Sequence, residues 1–204
     1  MKNIWLVVLI FIGMIFVACS SKTEYVALED SKEYTTTGLD YHDIANAAEQ
    51  SVKSLLSSNY TKKISDTRPK VLAISDVVND TMQMIDTEQL TRKVTRDMRN
   101  SGKYILTLAI SGSGGSKDAM IDSARDARND DEFNQYTTIE KGELIAPELS
   151  LSGKIIQKNT KLSSSQQRID YYFLLTLVDL KSGLVLWDDE VNIIKIGSNK
   201  SVAW

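Results

Sequence analysis

Val71-Leu72-Ala73-Ile74, then Asp86-Thr87-Glu88-Gln89-Leu90 running through Val94 and Met98 to Ser101-Gly102, then Tyr104-Ile105-Leu106-Thr107-Leu108, is the stretch from which the fold follows. The first four residues form a continuous apolar run of buried-strand type. Asp86 is placed to cap a helix, with Gln89 at the capping-box position and Ile85 set against Leu90 as a hydrophobic staple. Leu90, Val94 and Met98 recur at helical spacing and make one apolar stripe. Gly102 can take the left-handed conformation that stops a helix, and Tyr104 to Leu108 reads as the next strand. Val71 to Leu108 is therefore a β-α-β unit, a connection that is right-handed in nearly all folds. Inside it, Val77-Val78-Asn79-Asp80-Thr81-Met82-Gln83-Met84 reads as a loop carrying two methionines.

Downstream, Ser111-Gly112-Ser113-Gly114-Gly115-Ser116 raises the question of a phosphate-binding loop. Such a loop needs Lys followed by Ser or Thr after its last glycine, whereas Gly115 is followed by Ser116-Lys117-Asp118. It reads instead as a flexible connection, with Ser116 capping a modest helix that carries Met120, Ala124 and Ala127 on one side. The charged run Arg128 to Glu132 reads as solvated surface. Beyond Pro147, Leu149 to Ile155 shows partial alternation. Ile169, Tyr171, Phe173, Leu175 and Leu177 alternate cleanly, and Tyr172, Leu174 and Val178 make the other side of that strand apolar too, which predicts a strand covered on both faces. Asp179 to Gly183 is a hairpin turn with Gly183 at its left-handed position. Leu184 to Trp187 returns as the partner strand, before a polar tail ending at Trp204. The fold class is α/β: a small mixed β-sheet flanked by helices, the β-α-β unit followed by an antiparallel hairpin.

Upstream, Asp40 caps a first helix, with Asp43 near its positive end and Leu39 and Ile44 forming a staple. Ile44, Ala47, Ala48, Val52 and Leu55 give its apolar stripe, and His42 sits in its first turn as a half-exposed structural side chain. Ser57 to Arg68 is a polar link. Before Asp40 the chain is polar and without period, a tether over residues 19–38 that lacks proline. Fully stretched, about twenty residues reach roughly 65–75 Å.

The first 18 residues are a lipoprotein signal peptide in pattern. A short cationic start, Met1-Lys2, precedes the apolar run Ile4 to Val17, which falls short of the ~20 residues of a membrane-crossing helix. Phe16-Val17-Ala18-Cys19 resembles the bacterial lipobox, with Phe16 where an aliphatic residue is usual. The resemblance implies that Cys19 is lipidated and starts the mature chain; the alternatives are a cleaved signal with an incidental cysteine and an uncleaved anchor. Ser20 directly after the cysteine is, in lipoproteins of this type, the signature of export to the outer membrane.

Composition excludes several chemistries. Cys19 is the one cysteine, so no disulfide framework forms, and once acylated it is no nucleophile. One histidine cannot build a multi-histidine metal site. The formal charge of −3, with no basic cluster, does not fit a nucleic-acid binder. No cofactor and no metal are expected, and no catalytic residues are identified.

Taken together, this organisation resembles the LpoB family of outer-membrane lipoproteins, activators of penicillin-binding proteins. Val71 to Thr81, the helix Glu88 to Asn100, Ser101-Gly102-Lys103-Tyr104, and Leu174 to Gly183 with Leu186-Trp187 carry the match, over roughly residues 65–200. The resemblance implies a single domain over residues 39–204, related to the amino-terminal domain of TolB. It implies a domain that reaches through peptidoglycan to a class A penicillin-binding protein and stimulates glycan polymerisation and cross-linking. The tether here is short, and the segments Ser111 to Gln135 and Leu151 to Gln167 exceed the family's minimum. Two other classes stand beside this reading: a structural or assembly subunit of an envelope complex, and an envelope hydrolase, for which no nucleophile–base pair is visible. Expected partners are the synthase and the membrane through the lipid, with the peptidoglycan itself as a further candidate.

Contact residues are expected in the strand-to-helix loop at Asn79, Asp80, Thr81 and Met82, where binding groups collect and methionine adapts. The aromatic residues Tyr172, Trp187 and Trp204 are the other candidates. Replacing Cys19 by alanine is expected to release a folded but misplaced protein, read by membrane fractionation; unchanged localisation of that variant would contradict the lipobox reading.

Overall fold

In the computed structural model the described residues are 36–65, 67–110 and 118–200, and they fall in one unit that begins at Thr36. Asp40 starts helix α1 (Tyr41–Ser57) through a capping box: its carboxylate accepts from the Asp43 amide, and the Asp43 carboxylate accepts from the Asp40 amide. Leu39 and Ile44 pack against the core as the expected staple. The link that follows is not wholly irregular. Ser58 caps a single turn, α2 (Asn59–Lys62), whose Thr61 is buried and hydrogen-bonds the Tyr104 hydroxyl at 2.6 Å.

Strand β1 spans Lys70–Asp80, which corrects the reading of Val77 to Asp80 as loop. Val77 to Asp80 pair with Gly153 to Ile156, beyond an irregularity between Ile74 and Val77. Pairing with a neighbour overrides the weak strand preference of Asn and Asp here. Helix α3 (Thr87–Asn100) follows, its Asp86 cap accepting from the amides of Glu88 and Gln89, and Leu90, Val94 and Met98 are buried as predicted. Strand β2 (Tyr104–Leu106) is shorter than predicted and pairs parallel to β1. Gly102 and Gly183 take positive φ (68° and 74°), the left-handed positions assigned to them.

The glycine-rich segment and Ser116 lie outside the described residues. The helix after them, α4 (Ala119–Asp126), is capped by Asp118, and it buries none of its side chains. Ala127, expected on its apolar side, belongs to a following 3-10 turn.

Strands β3 (Leu149–Lys161), β4 (Gln166–Asp179) and β5 (Val185–Ser198) form two successive antiparallel hairpins. The first of these was not predicted: β3 runs past Ile155 to Lys161 and turns over residues 162–165. The charged triplet Asp188-Asp189-Glu190 lies within β5 rather than after it. The sheet order is β2-β1-β3-β4-β5; β2, β1, β3 and β5 run the same way, and β4 runs antiparallel between its two neighbours.

Side chains alternate along a strand, and on β4 Ile169, Tyr171, Phe173, Leu175 and Leu177 all point one way and are buried. Helices α1 and α3 pack on that same side, in one core with Leu72, Leu149, Leu151 and Ile155. The opposite side of β4 (Tyr172, Leu174, Thr176 and Val178) is only half buried. The sequence reading of a strand covered on both faces is therefore corrected: the described long helices cover one face of the sheet and leave the other open.

Met98 is fully buried where α3 meets this core. Met98→Ala is expected to cost about 2–5 kcal/mol, read as a lowered midpoint in urea unfolding with an unchanged slope.

Candidate functional site

Two constructions meet at the end of the sheet where the chain joins the domain. The first is a clamp. Lys195 on β5 points toward α1, and its side chain is only 9% exposed. It donates to the carbonyl oxygens of Thr36 (3.1 Å) and Gly38 (2.7 Å) and pairs with the carboxylates of Asp40 (3.3 Å) and Asp43. Burial alone would raise the Asp40 carboxyl. The amide of Asp43 and the charge of Lys195 outweigh that effect and hold it below the usual carboxylate range. Beside it, buried Gln83 accepts from the Leu39 amide (2.8 Å), and the Tyr171 hydroxyl lies 3.1 Å from the same amide oxygen and 3.2 Å from the Thr37 carbonyl. Gly38 is required for this approach, because a Cβ there would lie 2.2 Å from Gln83 Nε2. The first residues of the domain are thus tied to β4, to β5 and to the chain after β1.

The second construction is the loop and the open face. Asn79 and Asp80 end β1 rather than sit in the loop. The Asn79 side chain organises the turn, donating to the Gln83 carbonyl (2.8 Å) and accepting from the Thr81 hydroxyl (2.7 Å) and amide (3.2 Å). Asn79 and Thr81 are therefore shaping groups. Met82 is 68% exposed while its amide donates to Gln157 on β3, and Met84 is fully exposed. Asp80 pairs with Lys154 of β3 at 2.8 Å on the open face.

The register brings Asp80, Ile156, Tyr172 and Asn192 into one cross-strand row on that open face. Two of the expected residues, Asp80 and Tyr172, are therefore brought together, with Met82 at the end of the row's strand. Trp187 is not among them: it pairs with Leu177 and packs partly buried against the core, on the helix-covered side. Trp204 and Cys19 lie outside the described residues. Lys195, Gln83, Tyr171 and Lys154 were not anticipated. The usable signal was a lysine at the end of the inward set Val191, Ile193, Lys195, which must find a carboxylate if that face is buried.

The row on the open face offers contact surface. A cavity of about 10 Å³ under α1, lined by Leu39, Ile44 and Tyr171 among other apolar groups, is too small for a substrate. Among the described residues no cluster of three His, Cys, Asp or Glu is placed to hold a metal. No described helix is long and apolar enough to cross a membrane. His42 packs edge-on against the Tyr41 ring, with centroids 5.9 Å apart.

Burial, with the nearby Asp43 carboxylate, pushes the Tyr171 hydroxyl up to about 12. The folded state then keeps this proton after an unfolded tyrosine has lost its own, so the contribution is intact below pH ~10 and is lost as pH rises toward 12. Tyr171→Phe is expected to flatten that part of the stability–pH curve in chemical denaturation, and an unaltered curve would contradict the assignment. Lys195→Met strands two carboxylates and is expected to lower stability by about 1–3 kcal/mol, the partial exposure of Asp40 and Asp43 reducing the cost of breaking a fully buried pair.

No curated protein matches the chain. Among solved structures, the LpoB C-terminal domain from Escherichia coli is similar at 13% identity, covering 74% of this chain and 98% of that one, with a TM-score of 0.43. The same domain from Salmonella enterica matches at 12% identity over the same shares, with a TM-score of 0.42. Lipoprotein GNA1162 from Neisseria meningitidis matches at 14% identity, covering 66% and 88%, with a TM-score of 0.34. These likenesses are weak. The family model described as peptidoglycan-synthase activator LpoB matches residues 43–193, from the clamp carboxylate Asp43 to β5, and on that match the chain belongs to the LpoB family.

Proposed function

We propose that this protein is an outer-membrane-anchored lipoprotein whose periplasmic domain binds and activates a class A penicillin-binding protein, and so regulates peptidoglycan synthesis. The observation that carries the reading is the family match over residues 43–193, which takes in all or part of each of the five strands and both packed helices. The surface is in keeping with it: the sheet face opposite the helices is open and presents mixed polar and apolar side chains, as a contact surface would. Asp80, Lys154 and Tyr172 are the residues proposed to meet the synthase, with Met82 at the margin. Asn79 and Thr81 hold the loop that presents them. Trp187 serves the core in this proposal, and the earlier expectation of a contact role for it is dropped.

The clamp bears on reach. With Thr36 already fixed to the domain, lipidation at Cys19 leaves Ser20 to Thr35, sixteen residues, as tether. Their contour is at most about 53–58 Å. Activation across the periplasm then requires that the synthase extend toward the outer membrane, and the peptidoglycan lies within the span that the domain must share.

The test is glycan polymerisation from lipid II by each class A synthase of the source organism, with and without the domain beginning at Thr36. The proposal expects a rate increase of several-fold with one of them. It expects that increase to fall about tenfold with Asp80→Lys and Tyr172→Ala, at unchanged thermal stability. No acceleration with any of the synthases would overturn it.

A further inference from the structure

Between the outer edge of β2 and helix α4 runs a groove of about 670 Å³. One wall is β2 and the chain after it, since Ile105 to Ala109 all line it. Among the described residues β2 is the outermost strand and pairs with β1 alone. The Lys103 carbonyl and the Thr107 amide are the groups turned toward β1. The alternation of a parallel ladder therefore turns the amide and carbonyl of Leu106 outward, along the groove. A strand edge with unpaired main-chain groups is a template for another extended segment.

The facing wall is apolar and unfilled. Helix α4 buries none of its residues. Met120 is 67% exposed, facing a groove that also takes in Ile105 (53%) and Ile145 (69%). Contiguous apolar exposure of this kind marks an interaction site.

Arg125 stands in the same wall. Its Nε is shut off from solvent without an acceptor, and its guanidinium makes no ion pair among the described residues. The two carboxylates lining the groove do not serve it: Asp118 accepts from the Met120 amide as the helix cap, and Glu143 is exposed to water. An unpaired guanidinium in an apolar wall is matched by a carboxylate, which it can bind with two parallel hydrogen bonds.

We propose that this groove takes an extended segment of a protein partner, added as a strand to the β2 edge. Its apolar side chains would lie between Ile105 and Met120, and a carboxylate would meet Arg125. A fatty acid could satisfy the apolar wall and the guanidinium, but it would leave the outward amide and carbonyl of Leu106 covered and unpaired, at a cost. The peptide answers all three features. β2 lies at the edge of the sheet remote from β5, so the site does not depend on the reading of the open face.

The experiment pans the full chain, immobilised through a C-terminal tag, with phage displaying random twelve-residue peptides, and counter-selects with oleate. The expected result is a recovered set sharing one Asp or Glu among apolar residues. These peptides should bind Arg125→Glu at least tenfold more weakly, and exchanging their carboxylate for lysine should restore binding to that variant. Leu106→Pro, which removes only an outward amide, should also weaken binding at unchanged thermal stability. Recovery of no shared sequence, equal binding by the Arg125→Glu variant, or displacement of every peptide by oleate would overturn the proposal; should Leu106→Pro not fold, the charge exchange at Arg125 decides alone.

Discussion

Alternation along β4 is the constraint on which the rest of this domain depends. A strand can turn only every second side chain to one face, and the set from Ile169 to Leu177 is taken up by α1 and α3. Each large aliphatic side chain buried there contributes roughly 1.5–3 kcal/mol, which explains why the described long helices gather on one side. What remains on the other side is a half-buried surface whose residues are fixed in position by the same register. The face proposed for partner binding is thus a by-product of core formation, rigid because the core is.

The buried lysine at the end of β5 belongs to the same logic. A charge taken out of water is tolerated only with partners, and Lys195 finds two carboxylates and two carbonyl oxygens in the segment from Thr36 to Asp43. The clamp couples the start of the domain to the last strand. It also places the first described residues of the domain beside the turn from Asn79 to Met84, because Gln83 takes part in both.

Much of the fold was legible because the signals were local. The caps at Asp40 and Asp86, the stripe Leu90-Val94-Met98 and the stop at Gly102 each involve residues within one or two turns, and each is found as read. The errors lie where distant pairing decides. Asn79 and Asp80 are poor strand formers, yet they extend β1 because β3 offers partners. Tyr172 and Trp187 stand alike in the sequence as aromatic contact candidates. Their faces differ because the register across the β4–β5 hairpin, with its irregularity at Leu177 and Val178, sets the parity of every residue in β5. Lys195 carries no local signal, since its partners lie about 155 residues away in sequence.

The central claim is that the open sheet face, and not the helix-covered side, meets the synthase. Site-specific photo-crosslinking in living cells tests it most directly, with a benzophenone amino acid placed at position 172 on the open face or at position 53 on the exposed side of α1. The account predicts a crosslinked product with a class A penicillin-binding protein from position 172 and none from position 53. Crosslinking to that synthase from position 53 with none from position 172 would contradict it.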